Sequence, residues 1–326
     1  CSSDLGYEMG NTIKLCGMQI QPGEKFQGFV TVPGTEYQTP VTVVNGILPG
    51  KTLYFSAGIH GGEYPGVAAI AKAAAALRPE QVSGAVIFLH CVNYSGMTQM
   101  TDAVVPEDGQ NLNGNFPGDA NGSLGQRIAA WLAGEMLPQA DFVTDLHSGG
   151  AYEPLTPCLF YPVAAGDRVR QIAEGATKVV DIPYCIQSTT SNGHYSWAAK
   201  QGIPGMLLER GGNAECPPAQ VEAYVRDIHN LLVYFGAIKE ELFARKTARQ
   251  VVEKTTYLGA KESGFWYPAV QVEQRVQKGD LLGEMKDVFG NVRERYFAEH
   301  DGIVFYHAGG LIAKGGFTNL VAYGAL

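Results

Sequence analysis

The chain is short of positive charge: 24 lysines and arginines stand against 32 aspartates and glutamates, giving a net charge of −8. Such a surface has no basic field to attract a phosphate backbone or an anionic headgroup, which excludes nucleic acid and membrane surfaces as expected partners. Between Arg78 and Arg127 the deficit is complete, and the segment carries Asp102, Glu107, Asp108 and Asp119 instead. Long apolar runs are also missing. The most apolar stretch, VAAIAKAAAAL at 67–77, is broken by Lys72 and falls short of the roughly 18–20 residues a spanning helix needs. No basic segment followed by an apolar run opens the chain, although Cys1 is the kind of residue left by initiator Met removal or by lipoprotein processing. A cytoplasmic location is the default expectation. Cysteine is sparse, with residues 1, 16, 91, 158, 185 and 216 showing no CxxC or other ligand spacing. Buried free thiols are expected rather than a disulfide framework, because a chain of this length needs no staples.

Hydrophobic residues make up 45% of the 326 positions and charged residues 17%, a globular balance without low-complexity tracts. The length predicts two domains, or one large domain with an appendage. Residues 12–57 give β-like runs such as FQGFVTV and KTLYFSAG between Pro and Gly turns. Helical and strand patterns then alternate: helices over 65–77, 123–137, 167–178 and 217–236, strands over 84–91, 141–146 and 205–209. That alternation predicts an α/β layer with a largely parallel sheet. After the charged segment at 239–254, short strands and turns (FWYPAVQV, DGIVFYHA, GGFTNLVAYG) predict a small all-β unit. The expected division is 1–250 for the α/β domain and 251–326 for the β domain.

The stretch SAGIHGGEYPG at 56–66 ends an apolar strand, opens a helix and carries His60 and Glu63. At that spacing an imidazole nitrogen and a carboxylate oxygen can both reach one zinc ion at about 2.0–2.2 Å. Glycines at 58, 61 and 62 let the backbone turn sharply. Catalytic zinc keeps three protein ligands and one open position, so a third ligand must come from elsewhere. DFVTDLHSGG at 141–150 offers His147 at the end of another apolar strand, where ligands of α/β sheets gather. Each signal alone is weak, since a strand-end histidine is more often structural. Two of them, both backed by glycines and one carrying the carboxylate, point to a single zinc per chain. Zinc chemistry of this kind hydrolyses acyl bonds and needs a general base. GMLLERGGN at 205–213 supplies Glu209, which either pairs with Arg210 or moves a proton from water to a leaving amine.

Taken in order, GIHGGEYPG, NLNGNFPG, DLHSGG and LLERGG resemble the succinylglutamate desuccinylase/aspartoacylase family, relatives of the zinc carboxypeptidases, over nearly the whole chain. The resemblance implies zinc on His60, Glu63 and His147 with Glu209 as base. It also implies a carboxypeptidase-like mixed sheet flanked by helices and a C-terminal β unit of barrel-sandwich type. The implied reaction is hydrolysis of an N-acyl amide in a small-molecule substrate. Alternatives are a carboxypeptidase for small peptides and a catalytically silent metal-binding or carrier-like scaffold; Met285-Lys286 is similar to a carrier hairpin, but Asp287 follows it and Lys286 reads as a solvated turn residue. Homo-oligomerisation is left open.

One position departs from the family. Where relatives place an arginine that grips the substrate's carboxylate, this chain has Gly114, and a second arginine expected upstream to steady the oxyanion is missing too. Arg210, Arg127 or Lys200 could replace the charge, the site could be silent, or the substrate could be neutral or cationic there. The third reading is favoured, because an unpaired buried arginine would be costly. Asn111, Asn113 and Asn115 then offer neutral amides around Gly114. Asn93, Tyr94, Gln99, His194 and Tyr195, with Trp197 nearby, are further candidates for the wall and the oxyanion donors.

Overall fold

The computed structural model describes residues 10–326, so Cys1 lies outside the described residues. A hairpin of β1 (Ile13–Leu15) and β2 (Met18–Ile20) precedes the main sheet. That sheet contains β3 (Lys25–Thr31), β4 (Gln38–Asn45), β5 (Leu48–Ala57), β6 (Ser83–Leu89), β7 (Phe142–His147), β8 (Cys158–Pro162), β9 (Tyr184–Ser188), β10 (Gly205–Glu209) and β11 (Gln250–Val252). Its order is β11-β9-β8-β10-β7-β5-β6-β4-β3. The centre is parallel, β6 to β5 to β7 to β10. The margins are not: β4 runs antiparallel to β6, and β8 antiparallel to β10. The expectation of a largely parallel sheet therefore resolves into a mixed one. Strands buried on both faces read as near-continuous apolar runs, as β6 does. The polar residues of the fully buried β7, Thr144, Asp145 and His147, are the exceptions that need a reason.

Successive residues of a strand face opposite sides, and two separate cores follow. Leu53, Phe55, Val86 and Phe88 pack with α1 (Tyr64–Ala76), α4 (Asp167–Thr177) and α6 (Pro218–Tyr234). Tyr54, Ala85, Ile87 and Leu89 pack on the other face with α3 (Leu124–Trp131) and α5 (His194–Lys200), and a short α2 (Tyr94–Gln99) follows β6. The helix expected over 123–137 leaves α-geometry at Leu132, passing through a π-turn to Met136 and a 3₁₀ turn over Leu137–Gln139. Pro138 cannot donate the hydrogen bond that would continue it. Strands β8 and β9 escaped the sequence reading, being five residues each and bounded by prolines or polar turns.

β11 pairs with β9 at the edge of the large sheet, and one residue later the chain enters two antiparallel four-stranded sheets. Their strands are β12 (Lys254–Gly259), β13 (Gly264–Pro268), β14 (Arg275–Val276), β15 (Leu281–Lys286), β16 (Val292–Phe297), β17 (Gly302–His307), β18 (Ile312–Ala313) and β19 (Asn319–Ala325). The orders are β12-β19-β17-β14 and β16-β15-β13-β18, around Trp266, Leu282, Val304 and Tyr323. Thr156 ties this unit to the α/β layer: its Oγ1 donates to Glu273 Oε1 (2.6 Å) and its N–H to the Phe305 carbonyl (2.9 Å). Lys286 ends β15 rather than sitting in the turn, lies over the Tyr267 ring and pairs with Glu284 at 3.2 Å. The cysteines among the described residues are free; Cys91, Cys158 and Cys185 are buried as expected, whereas Cys216 is exposed. No helix among the described residues is long and apolar enough to cross a membrane.

Phe142 is fully buried in β7 and its ring lies 4.5 Å from that of Phe235. Truncation to alanine should cost about 3–5 kcal/mol, read as a lowered urea midpoint with an unchanged slope; a loss below about 1 kcal/mol would show that the strand is not held by this core.

Candidate metal centre

Because β6, β5, β7 and β10 are adjacent and parallel, their carboxyl ends share one edge of the sheet. Register then fixes which residues meet: His147 pairs with Glu209 across β7 and β10, and Leu146 with Ala57 across β7 and β5. The turn after Ala57 thus starts beside His147. Gly58 makes that turn at φ +65°, where a Cβ would stand 2.6 Å from Cys91 Sγ. Glu63 precedes the first turn of α1, which holds Pro65, but its side chain makes no capping hydrogen bond. The carboxylate turns instead to the two imidazoles.

Glu63 Oε1 lies 2.7 Å from His60 Nδ1, and Oε2 lies 3.0 Å from His147 Nδ1 and accepts the Ser148 N–H at 3.2 Å. One ligand atom from each of His60, Glu63 and His147 falls within a 4.8 Å cluster. The outer nitrogen of each ring is also engaged: His60 Nε2 is 3.0 Å from Asn111 Oδ1, and His147 Nε2 is 2.9 Å from Asp145 Oδ2. Asn111 Oδ1 and Asp145 Oδ2 accept from the two Nε2–H groups, so the Nδ1 atoms are left to face Glu63, donating to its carboxylate here and free to offer their lone pairs to a metal that displaced those protons. Outer-nitrogen partners of this kind are what metal-ligating histidines use. Two nitrogens and one carboxylate, with room for a fourth group, are the donor set of a catalytic zinc site, so the residues fit a metal.

The charges are strongly coupled. Burial alone would raise the Glu63 carboxyl, but His60 and then His147 outweigh it and bring the group down to about 2. Burial would lower His147, yet Asp145 and Glu63 hold it well above the ordinary imidazole value. Glu209 goes the other way: burial raises its carboxyl well above the usual range, with His147 opposing and Glu63 and Glu153 adding to the rise. Its Oε2 is buried without a hydrogen-bond partner. Glu209 is therefore not the ion-pair partner of Arg210, which donates from Nε to Asp227 Oδ2 (2.8 Å) and from an Nη to the Asp181 carbonyl (2.8 Å).

A cavity of about 470 Å³ lies over the cluster, with His60, Glu63, Asn111 and Glu209 in its wall. Asp102 and Glu153 add two more carboxylates, and none of its lining residues is a lysine or arginine. The β unit closes the far side with Tyr257, Phe305, Tyr306 and Phe317, and Tyr306 Oη donates to Glu153 Oε1 at 3.2 Å. A second cavity of about 680 Å³ shares Phe160, Ile186, Glu209 and Tyr257 with the first; Asn113, Ser188, Thr190 and Tyr195 line it, and Lys254 is its one cation.

Several expected substrate contacts are redirected. Arg210 is 5% exposed and spent on Asp227, so its guanidinium does not reach a substrate. Arg127 donates to the Gly122 and Gly34 carbonyls, and Lys200 lies over Trp197; neither lines the two cavities over the cluster. His194 is 0% exposed and sits beneath the site, because both its ring nitrogens face buried polar groups. Asn93 caps α2 and donates to the Val104 carbonyl, which leaves it no oxyanion role. Asn115 donates to Gln110, not to a cavity. Asn111 bonds the metal-site histidine, Asn113 and Tyr195 line the second cavity, and Gly114 is exposed, with open space where a side chain would project. The sequence reading missed Asp145, although an acid two residues before His147 in an apolar strand must share its face.

The catalytic-domain model of the succinylglutamate desuccinylase/aspartoacylase family matches residues 49–235. An N-alpha-acetyl-L-2,4-diaminobutyric acid deacetylase from Halomonas elongata is 30% identical over 81% of this chain and 79% of its own. A solved succinylglutamate desuccinylase/aspartoacylase from Rhodobacter sphaeroides is 28% identical, with a TM-score of 0.80 over 92% of this chain and 95% of the other. An ectoine utilization protein from Ruegeria pomeroyi, 24% identical with a TM-score of 0.83 over 93% and 95%, shares the fold.

The unpartnered Glu209 carboxylate has a stability consequence. Its folded-state pKa is raised, so ionisation opposes folding: the penalty is absent below the unfolded carboxylate value and grows as pH rises toward the folded one. Metal-free Glu209→Gln should therefore melt above metal-free wild type at pH 7, by roughly 1 kcal/mol or more, and the gap should close near pH 4. Thermal melts after chelation at both pH values check this; equal melting points at pH 7 would refute it.

Proposed function

The chain belongs to the succinylglutamate desuccinylase/aspartoacylase family, and from that premise we propose a zinc-dependent hydrolase that cleaves an N-acyl amide bond of a small molecule. The observation that carries the reading is the convergence of His60 Nδ1, His147 Nδ1 and the Glu63 carboxylate beneath a cavity. The partnerless Glu209 carboxylate stands in the wall of that same cavity. Zinc bound there would supply a Lewis acid that polarises an acyl carbonyl and lowers the pKa of water.

The chain's own groups do the rest. Glu209, paired across the sheet with His147, takes a proton from the attacking water and returns it to the leaving amine. A raised carboxyl pKa suits that double duty, since the group must hold the proton between the two transfers. Asn111 and Asp145 keep the histidine lone pairs aimed inward. Phe160, Ile186 and Phe305 exclude water from the walls, and we assign the β unit of 251–326 the role of completing the pocket through Tyr257 and Tyr306.

The same cavity supports a substrate that is neutral or cationic near the Gly114 loop. Glu63, Asp102, Glu153 and Glu209 face it and no basic side chain does, so a carboxylate would meet like charge while an ammonium would be attracted. The compound named for the Halomonas relative, an N-acetylated diamino acid, carries a second amine that such a pocket would attract, together with an α-carboxylate for which Lys254 of the adjoining cavity is the one cation in the two walls. A peptidase would need a cation for the C-terminal carboxylate; this cavity has none, and the adjoining one offers Lys254 alone.

Purified protein should carry about one zinc per chain, and Glu209→Gln should keep the metal while losing roughly 10²–10⁴-fold in kcat. Equal turnover by the two across an acyl-amide panel would favour a silent scaffold. Paired substrates with and without an α-carboxylate test the subsite. Gly114→Arg, which has room for its side chain, should improve kcat/KM for the carboxylated member and damage it for the cationic one; no change in either would make the loop a spacer.

A further inference from the structure

We infer that His194 is a positioning residue that keys the Asn111–Phe116 loop to the metal ligand His147 by way of Asp145. The inference rests on the zinc reading above, and His194 itself is buried away from the cavity.

His194 is 0% exposed, as are Tyr54, Ser56 and Asp145. Its Nε2 lies 2.9 Å from Tyr54 Oη, while Nδ1 faces Ser56 Oγ at 3.3 Å and Asp145 Oδ2 at 3.4 Å. Ser56 spends its hydroxyl proton on Asp145 Oδ1 at 2.7 Å, and His147 gives its Nε2 proton to Asp145 Oδ2. The assignment of the remaining protons follows. His194 carries its proton on Nδ1, directed at Asp145, and accepts the Tyr54 hydroxyl at Nε2. Asp145 is thus a buried carboxylate held by hydrogen bonds from Ser56 and His147 and by the longer 3.4 Å approach of His194 Nδ1, with no lysine or arginine beside it. Removing one donor from such a group leaves charge under-satisfied, and the carboxylate can swing away from His147.

The opposite side of His194 belongs to the loop. Asn113 Oδ1 accepts the His194 backbone N–H at 2.9 Å, and the Phe116 ring stacks on the imidazole, 5.1 Å between centroids and 27° between planes. From the same loop, Asn111 Oδ1 takes the outer nitrogen of His60. One six-residue segment therefore braces both histidine ligands, His60 directly and His147 through His194 and Asp145. A loop that shapes the pocket and also braces the ligands couples substrate-side packing to metal affinity.

Zinc affinity measured by competition with a chromophoric chelator tests this without reference to turnover, on metal-free full-length chain that circular dichroism shows to be folded. His194→Asn places an amide N–H near the position of Nδ1 and should bind zinc within about threefold of wild type. His194→Gln, whose amide falls near Nε2, and His194→Phe should both bind at least about tenfold more weakly, the scale of other outer-partner losses. Asn113→Ala should weaken binding severalfold while leaving the buried ring in place. Where His194→Phe does not fold, the Asn and Gln pair carries the comparison. Equal zinc affinity across the folded variants overturns the inference, as does an Asn variant no better than Gln. Wild type that binds no zinc overturns the metal reading and this inference together; tight wild-type binding with a flat variant series overturns this one alone.

Discussion

The site depends first on a backbone ladder, the parallel pairing of β7 with β5 on one side and β10 on the other. Leu146 opposite Ala57 and His147 opposite Glu209 decide that three separate loops begin at one point. Side chains alternate with period two, so a slip of one residue would turn His147 and Asp145 to the wrong face together. Apolar burial on both sides of β7 prevents the slip: Phe142 belongs to one core and Val143 to the other, and neither can be exchanged without exposing it. The hydrophobic pattern thus specifies the geometry of polar groups it never touches.

That arrangement opposes itself electrostatically. Glu63, Asp145 and Glu209 are carboxylates crowded around two imidazoles, and only the first two find donors. Burial first, and then like charges gathered in low dielectric, raise a carboxyl's pKa, which is the position Glu209 is left in. A divalent cation among the ligands would relieve much of that repulsion, as bound ions invert the local charge balance. The metal-free fold and the proposed chemistry would make opposite demands on Glu209.

The residues that form the centre were legible because each sits where two signals coincide: an apolar strand ends, and glycines follow. His60, His147 and Glu209 have that context, with Glu63 three residues after His60 at the start of α1, and the structure brings them together. What was not legible has a common physical character. Arg210 looked available beside Glu209, but neighbours in a strand or its exit point to opposite faces, and its partner Asp227 lies on α6. His194 looked like a wall residue, since the helix start that carries it was visible, whereas Tyr54, Ser56 and Asp145 converge on it only through sheet pairing. The wall from the C-terminal sheets depends on how they pack against the large sheet, which no local pattern encodes.

Gly114 illustrates what that packing adds. In the sequence it was a missing charge within an acidic stretch, and the substrate had to be guessed from the gap. In the folded chain the acids on either side of the loop separate by role. Asp108 is consumed at the start of α3, accepting from Ser123 Oγ and the Gly125 N–H, while Asp102, which accepts the Ala151 N–H at Oδ1, lines the cavity along with Glu153 and Glu209. The absence of arginine and the presence of carboxylate are therefore two sides of one electrostatic choice. Under the proposed function, the negative potential of the cavity and the missing charge at Gly114 act in the same direction.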